Sequence, residues 1–385
     1  MRVLLLGEYS NVHNNLADGL RQLGCDVTVA NDGDHWKKFN SDINLARRIY
    51  PGGGIFARIG NVLSGILFVM RLAMALLRMR GYDVVQVINP IFLPLKAERH
   101  FAIYRYLRRH NKKMVLCAMG DDYYYCYVNR TLKPMRYSDY NIGKEEHWTD
   151  FGRWTYADKV ETEKGRLCRY IASDCDVIIA GAYEYWLPYH LTEDRDSEGK
   201  PLREKLHHIP FPFNLDDVAI NKQSESEYPI RVFIGVSNGR SEFKGTDVML
   251  QVARDLKEKY PDKIDLKVAE GVPFAEYQDM LNASDIMLDQ IYSYGPGMNA
   301  LLAMAKGMVT LTGGEPEHYD ILGETECRPI VNVEPSYEDV SRKLEYLILH
   351  PDELKKIRKE SREYVARNHD CIKVAEKYRE LYKMG

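Results

Sequence analysis

Between residues 285 and 317 a short apolar run, Ile286–Leu288, meets a turn containing Gly295 and Gly297. A helical stretch then opens at Met298 and stops at Gly307, and a second apolar run covers 308–311. Short apolar runs bounded by glycine read as buried strands, so the spacing predicts a strand–helix–strand unit and an α/β fold. Glycines let the backbone approach a ligand closely where a helix begins, and the first helical turn carries unpaired N–H groups and a partial positive charge. Gly295, Gly297, Met298 and Asn299 therefore form a candidate phosphate site.

The remaining chain is consistent with two such α/β halves. Its 385 residues suit two domains with well-buried cores, and a net charge of −3 with 45% hydrophobic residues describes an ordinary globular protein. Cys25, Cys117, Cys126, Cys168, Cys175, Cys327 and Cys371 are scattered without Cys-x-x-Cys pairs or ligand spacing to histidine. That usage points to a reduced, cytoplasmic setting and to no metal site. The apolar run 3–6 is too short for a signal peptide and reads as a first buried strand.

That strand, a loop over 7–11, a helix over 15–23 stopped by Gly24 and a strand over 27–30 make a Rossmann-type opening without the Gly-x-Gly-x-x-Gly fingerprint. Ligands in open α/β sheets sit beyond the carboxyl ends of the strands, which places Glu8, Tyr9, Ser10 and His13 near a cleft, as an acceptor-binding loop or as plain surface. Strands over 84–88 and 114–118 follow. The second ends at Gly120-Asp121-Asp122, where Asp121 and Asp122 read either as acid–base carboxylates in the crevice or as caps of a turn or helix. Residues 62–79 are the most apolar stretch, with Arg71 near the middle and Arg78 near the end arguing against a spanning helix. They read as a core helix of the first domain, or as a helix resting on an anionic membrane face, since Arg47, Arg48, Arg58 and Arg80 lie close by.

From Tyr123 to Tyr170 tyrosines and tryptophans alternate with charges. Such rings can pack on sugar faces, while Glu145, Glu146, Asp150, Asp158, Glu161 and Glu163 count against nucleic acid. A strand over 173–180 and a proline-punctuated edge over 206–213 close the first half. Residues 221–228 read as a linker, giving an N-terminal domain over 1–215 and a C-terminal domain over 228–369. The strand 230–236 leads into a loop carrying Arg240 and Lys244 before a helix over 248–259, a fork and a point charge able to neutralise a diphosphate. Asp289 ends a strand at the cleft, whereas Glu315 and Glu317 read as a polar turn. A last helix over 370–385 is expected to cross back onto the N-terminal domain.

The segment Gly-Met-Asn-Ala-Leu-Leu-Ala-Met-Ala-Lys-Gly, preceded by Tyr294, resembles the donor signature of family-4-like nucleotide-sugar glycosyltransferases, Glu-Gly-Phe-Gly-Leu-Pro-x-x-Glu-Ala-Met-Ala-x-Gly. Gly239-Arg240 and Lys244-Gly245 are similar to the same family's Gly-Arg…Lys-Gly segment, at slightly closer spacing. Tyr294 and Leu302 stand where that family has two glutamates, eight apart, that are implied in holding the donor's ribose and sugar. The resemblance implies a GT-B arrangement, two Rossmann-like doubly wound domains facing a cleft. It implies a retaining, metal-independent sugar transfer from a nucleoside-diphosphate sugar to a glycan or lipid-linked acceptor, with no cofactor. Asp121 and Asp122 are the catalytic candidates; Arg240, Lys244, Gly295, Gly297, Met298, Asn299 and Asp289 would bind the donor; Glu8, Tyr9, Ser10 and His13 would bind the acceptor. A non-catalytic nucleotide-sugar binder or scaffold of the same fold is the alternative, with an epimerase or phosphorylase of the same plan a third reading.

Overall fold

The computed structural model describes residues 1–34, 39–221 and 227–384, so residues 222–226 of the expected linker lie outside the described residues. Two parallel sheets organise the chain. The first has seven strands: β1 (Arg2–Leu6), β2 (Asp26–Asn31), β3 (Ile43–Asn44), β4 (Val84–Val87), β5 (Lys113–Ala118), β9 (Val177–Ala180) and β10 (Leu206–His208), in the order β10-β9-β5-β4-β1-β2-β3. A small antiparallel sheet, β6 (Tyr137–Ser138), β7 (Asn141–Ile142) and β8 (Glu145–Glu146), lies between β5 and β9 in the chain. The second large sheet holds β11 (Ile230–Val236), β12 (Ile264–Glu270), β13 (Ile286–Leu288), β14 (Val309–Thr312) and β15 (Val331–Asn332), in the order β12-β11-β13-β14-β15.

Side chains alternate across a strand, and the central strands, covered on both faces, are largely apolar, whereas the edge strand β12 carries Asp265, Lys267 and Glu270. In β1, Leu4 and Leu6 enter one core and Val3 and Leu5 the other. In β11, Ile230, Val232 and Ile234 face one way and Phe233 the other. Each sheet reverses direction beside its first strand, β1 lying between β2 and β4, and β11 between β12 and β13. Such switch points open crevices at the carboxyl ends of the strands. The last helix, Cys371–Lys383, packs Val374, Ala375, Tyr378 and Leu381 against Val3, Leu5, Leu16 and Leu20 of the first half. Gly19 permits that approach, since a Cβ there would stand 2.1 Å from the Cys371 carbonyl oxygen.

The apolar stretch 62–79 belongs to a helix, Ile55–Arg78, that is not a core helix. Of its 24 residues only Ser64, Phe68, Leu72 and Ala75 are buried. The reason is geometric: these four fall on one line of the helix facing the rest of the first half, and among the described residues the opposite side has nothing over it. Phe56, Ile59, Leu63, Ile66, Met70 and Leu77 are exposed, Phe56 to 88%. Below the 285–317 unit, Asp285 receives both Arg231 and Arg358, an ion-paired core joining β11, β13 and the helix Pro351–Asn368.

Candidate active site

The carboxyl ends of the two sheets enclose one cleft of about 1080 Å³. Tyr9, Ser10, Gly120, Asp121, Asp139 and Glu184 line it from the N-terminal half. Val236 to Asn238, Arg240, Lys244, Asp289, Pro296, Gly297, Met298 and Asn299 line it from the other. One wall therefore presents carboxylates, and the other presents two cations and Asp289 together with the N-terminus of the helix Met298–Ala305. The Arg240 guanidinium lies over the Phe151 ring at 4.7 Å, a packing that orients the fork. A Cβ on Gly297 would meet no atom within 4 Å, so the helix terminus opens onto free space.

Several sequence candidates stand elsewhere. Asp122 is buried: its Oδ1 accepts the Tyr125 backbone N–H at 2.9 Å, capping the helix Tyr123–Leu132, and its Oδ2 accepts the Tyr189 hydroxyl at 2.6 Å. Burial pushes its pKa up to about 6. The capping reading therefore describes Asp122, and only Asp121 of the pair lines the cleft. Glu8 also faces inward, its two oxygens accepting the backbone N–H groups of His13 and Asn14 at 3.2 and 3.0 Å, with burial pushing its pKa up to about 8. His13 is fully buried between the Gly7 carbonyl and Gln86, and burial holds its pKa down at about 4. Of the predicted acceptor loop, Tyr9 and Ser10 reach the cleft. Gly295 is a packing glycine, since a Cβ there would stand 2.4 Å from the His318 Nδ1.

Glu315 is no plain polar turn. Its buried carboxylate accepts the Tyr137 hydroxyl and pairs with Arg136 from the other half, while Asn332 donates to it at 2.9 Å. Tyr294 belongs to the same junction: its hydroxyl accepts the Arg136 backbone N–H at 2.7 Å and its ring stacks on Tyr183 at 5.6 Å. Phe243 likewise inserts between Tyr140 and Phe151, so some rings of the aromatic run after residue 123 join the halves.

The family comparison falls on the cationic wall. Residues 238–380 match a family model described as glycosyl transferase-like. HepE from Anabaena, solved in complex with UDP and glucose, superposes with a TM-score of 0.57 at 11% identity, covering 100% of this chain and 99% of that one. The chain has the GT-B fold. Sucrose-phosphate synthase from Thermosynechococcus elongatus gives a TM-score of 0.59 at 13% identity, covering 100% and 98% of the two chains. WaaG, a glycosyltransferase involved in lipopolysaccharide biosynthesis, gives 0.54 at 13% identity over 100% of both. Comparison with curated proteins finds no match.

Three cleft carboxylates were missed: Asp34, Asp139 and Glu184. Glu184 opens the helix Tyr183–Leu191 just after β9, and the strand-end rule applied to β1 and β5 would have found it there. Asp139 sits between β6 and β7, where no sequence pattern marks it; its carboxylate accepts the Tyr125 hydroxyl. Burial first, and Asp121 second, push the Asp139 pKa up to about 7, against the pull of Tyr125, Arg240 and Lys244.

Proposed function

We propose that this GT-B protein transfers a sugar from a nucleoside-diphosphate sugar to a glycan or lipid-linked acceptor in surface polysaccharide or glycoconjugate synthesis. The observation that carries this reading is the opposition of the two cleft walls. A leaving diphosphate needs cations and aligned N–H dipoles, which Arg240, Lys244 and the Met298 helix terminus offer together. An acceptor hydroxyl needs a base at the same crevice, and Asp121 occupies the strand end that faces it. The family resemblance supports a retaining, metal-independent reaction without a cofactor. Arg240→Ala and Lys244→Ala should each weaken UDP or GDP binding by about 1.5 kcal/mol or more, as the loss of a charge-assisted hydrogen bond does. Calorimetry finding both variants unchanged would remove the diphosphate from this wall; tight binding of nucleotide sugars with neither hydrolysis nor transfer would favour the non-catalytic binder.

The acceptor side of the reading is a peripheral contact with an anionic membrane from the cytoplasm. Residues 43–82 contain six arginines and no Asp or Glu, in a chain whose net charge is −3. An apolar face flanked only by cations matches a leaflet that is apolar within and negative at its surface.

A further inference from the structure

A carboxylate in the cleft keeps one oxygen without a hydrogen-bond partner among the described residues. Glu184 is 8% exposed, lines the cleft, and its Oε2 is buried without a hydrogen bond. The Gly295 amide acts on this carboxylate, so it sits against the turn that leads into the phosphate-facing helix. Its surroundings fix what can lie beside it. The part of the cleft formed by Ala269, Val272, Phe274 and Tyr277 is apolar, lies wholly within the second half and suits a flat nucleoside. With the diphosphate on Arg240, Lys244 and the Gly297 terminus, the sugar at the far end of the donor faces the opposite wall. Sugar hydroxyls donate hydrogen bonds there, and ionised carboxylates only accept them.

Four carboxylates stand on that wall, and Asp34 accepts the Ser10 backbone N–H at 2.8 Å. Asp139 is engaged by the Tyr125 hydroxyl, and Asp121 lies beside Tyr9 in the loop after β1. Tyr294, at the turn itself, points its ring and hydroxyl into the junction with Arg136 and Tyr183. We propose that Glu184, reaching across from the first half, accepts the hydroxyls of the donor's sugar and selects which sugar is taken. The assignment rests on the nucleoside-diphosphate-sugar reading above. It gives Glu184 a binding role that the turn at Tyr294 cannot fill, since no carboxylate is present there.

The test compares each nucleotide sugar with its own nucleotide, because only the first carries the hydroxyls. Calorimetry of wild type and Glu184→Gln against UDP, UDP-glucose, GDP and GDP-mannose should show the preferred nucleotide sugar weakened roughly 10-fold or more in the variant. The matching free diphosphate should bind unchanged or slightly more tightly, since a negative charge has left the cleft. Burial first, with Asp139 second, pushes the Glu184 pKa up to about 7, so in wild type the preference for nucleotide sugar over free diphosphate should rise as pH increases from 6 to 8. In Glu184→Gln that slope should vanish. Equal shifts for sugar and diphosphate, or none for either, overturn the proposal while leaving the donor reading intact. A wild type that binds none of the four overturns both. Should Glu184→Gln fail to fold by circular dichroism, Glu184→Asp, which withdraws the carboxylate by one methylene, is held to the same comparison.

Discussion

Asp121 and Asp122 are neighbours in the chain and part company in space. Successive residues at a strand end point in different directions, and a helix starting at Tyr123 claims the second for its cap. The two should therefore fail differently. Asp122→Ala removes the cap and strands the Tyr189 hydroxyl, and chemical denaturation should show a loss of about 2 kcal/mol. Asp121→Asn should leave the melting temperature in place and lower sugar-transfer turnover roughly 10²-fold, with donor affinity little changed. The reverse pattern, with Asp122→Ala stable and inactive, would exchange the two roles. Only the type of residue and its strand-end position were legible beforehand; which carboxylate caps and which faces the crevice depends on the backbone direction of one turn.

At the scale of elements, the helix Ile55–Arg78 spans about 36 Å and carries two apolar faces. Phe68, Leu72 and Ala75 hold one face on the sheet, and the opposite one forms an apolar arc of roughly 160° bordered by Arg58 on one side and Arg71 and Arg78 on the other. A helix tied to its sheet in this way is held against the fold along its length, and Arg71 adds a hydrogen bond to the Ala46 carbonyl at 2.8 Å. The protein should co-sediment with phosphatidylglycerol vesicles at low salt and be released as salt rises. Ile66→Asp, in the middle of the arc, should reduce sedimentation several-fold without lowering the melting temperature. Failure to sediment at low salt, or a lipid-free dimer that Ile66→Asp dissociates, would give this face another occupant.

Across the whole molecule, the two halves are held by side chains that the sequence assigned to other tasks. Glu315 gathers Arg136, Tyr137 and Asn332, and Tyr294 closes on Arg136 and Tyr183 beside it. This junction borders the cleft, so it fixes how far apart the carboxylate and cation walls stand. Glu315→Ala would leave the Tyr137 hydroxyl and the Asn332 amide without their acceptor while Arg136 keeps Glu317, a loss of about 2 kcal/mol. Small-angle scattering of the variant should report a larger radius of gyration, and protease should cut between the halves sooner. A variant as compact and resistant as wild type would show that Phe243 and the last helix suffice to hold the halves together.

The alternation of short apolar runs with helical stretches determined by itself that this chain builds two parallel α/β sheets, because a strand covered on both faces must be apolar at every position. Gly297 and Arg240 were readable as members of a phosphate-type wall for a related reason: a glycine before a helix and a cation after a strand are local arrangements, complete within a few residues. Tertiary structure completed the other wall, of which Tyr9, Ser10 and Asp121 were readable at strand ends. Asp139 and Glu184 are 45 residues apart in sequence, and the fold brings both to the cleft. It also decided that Glu8 and His13 turn inward, that Tyr294 joins the halves, and that one face of the helix Ile55–Arg78 stays bare. Burial depends on what the rest of the chain brings alongside, and a hydrophobic run carries the demand to be covered without naming what covers it.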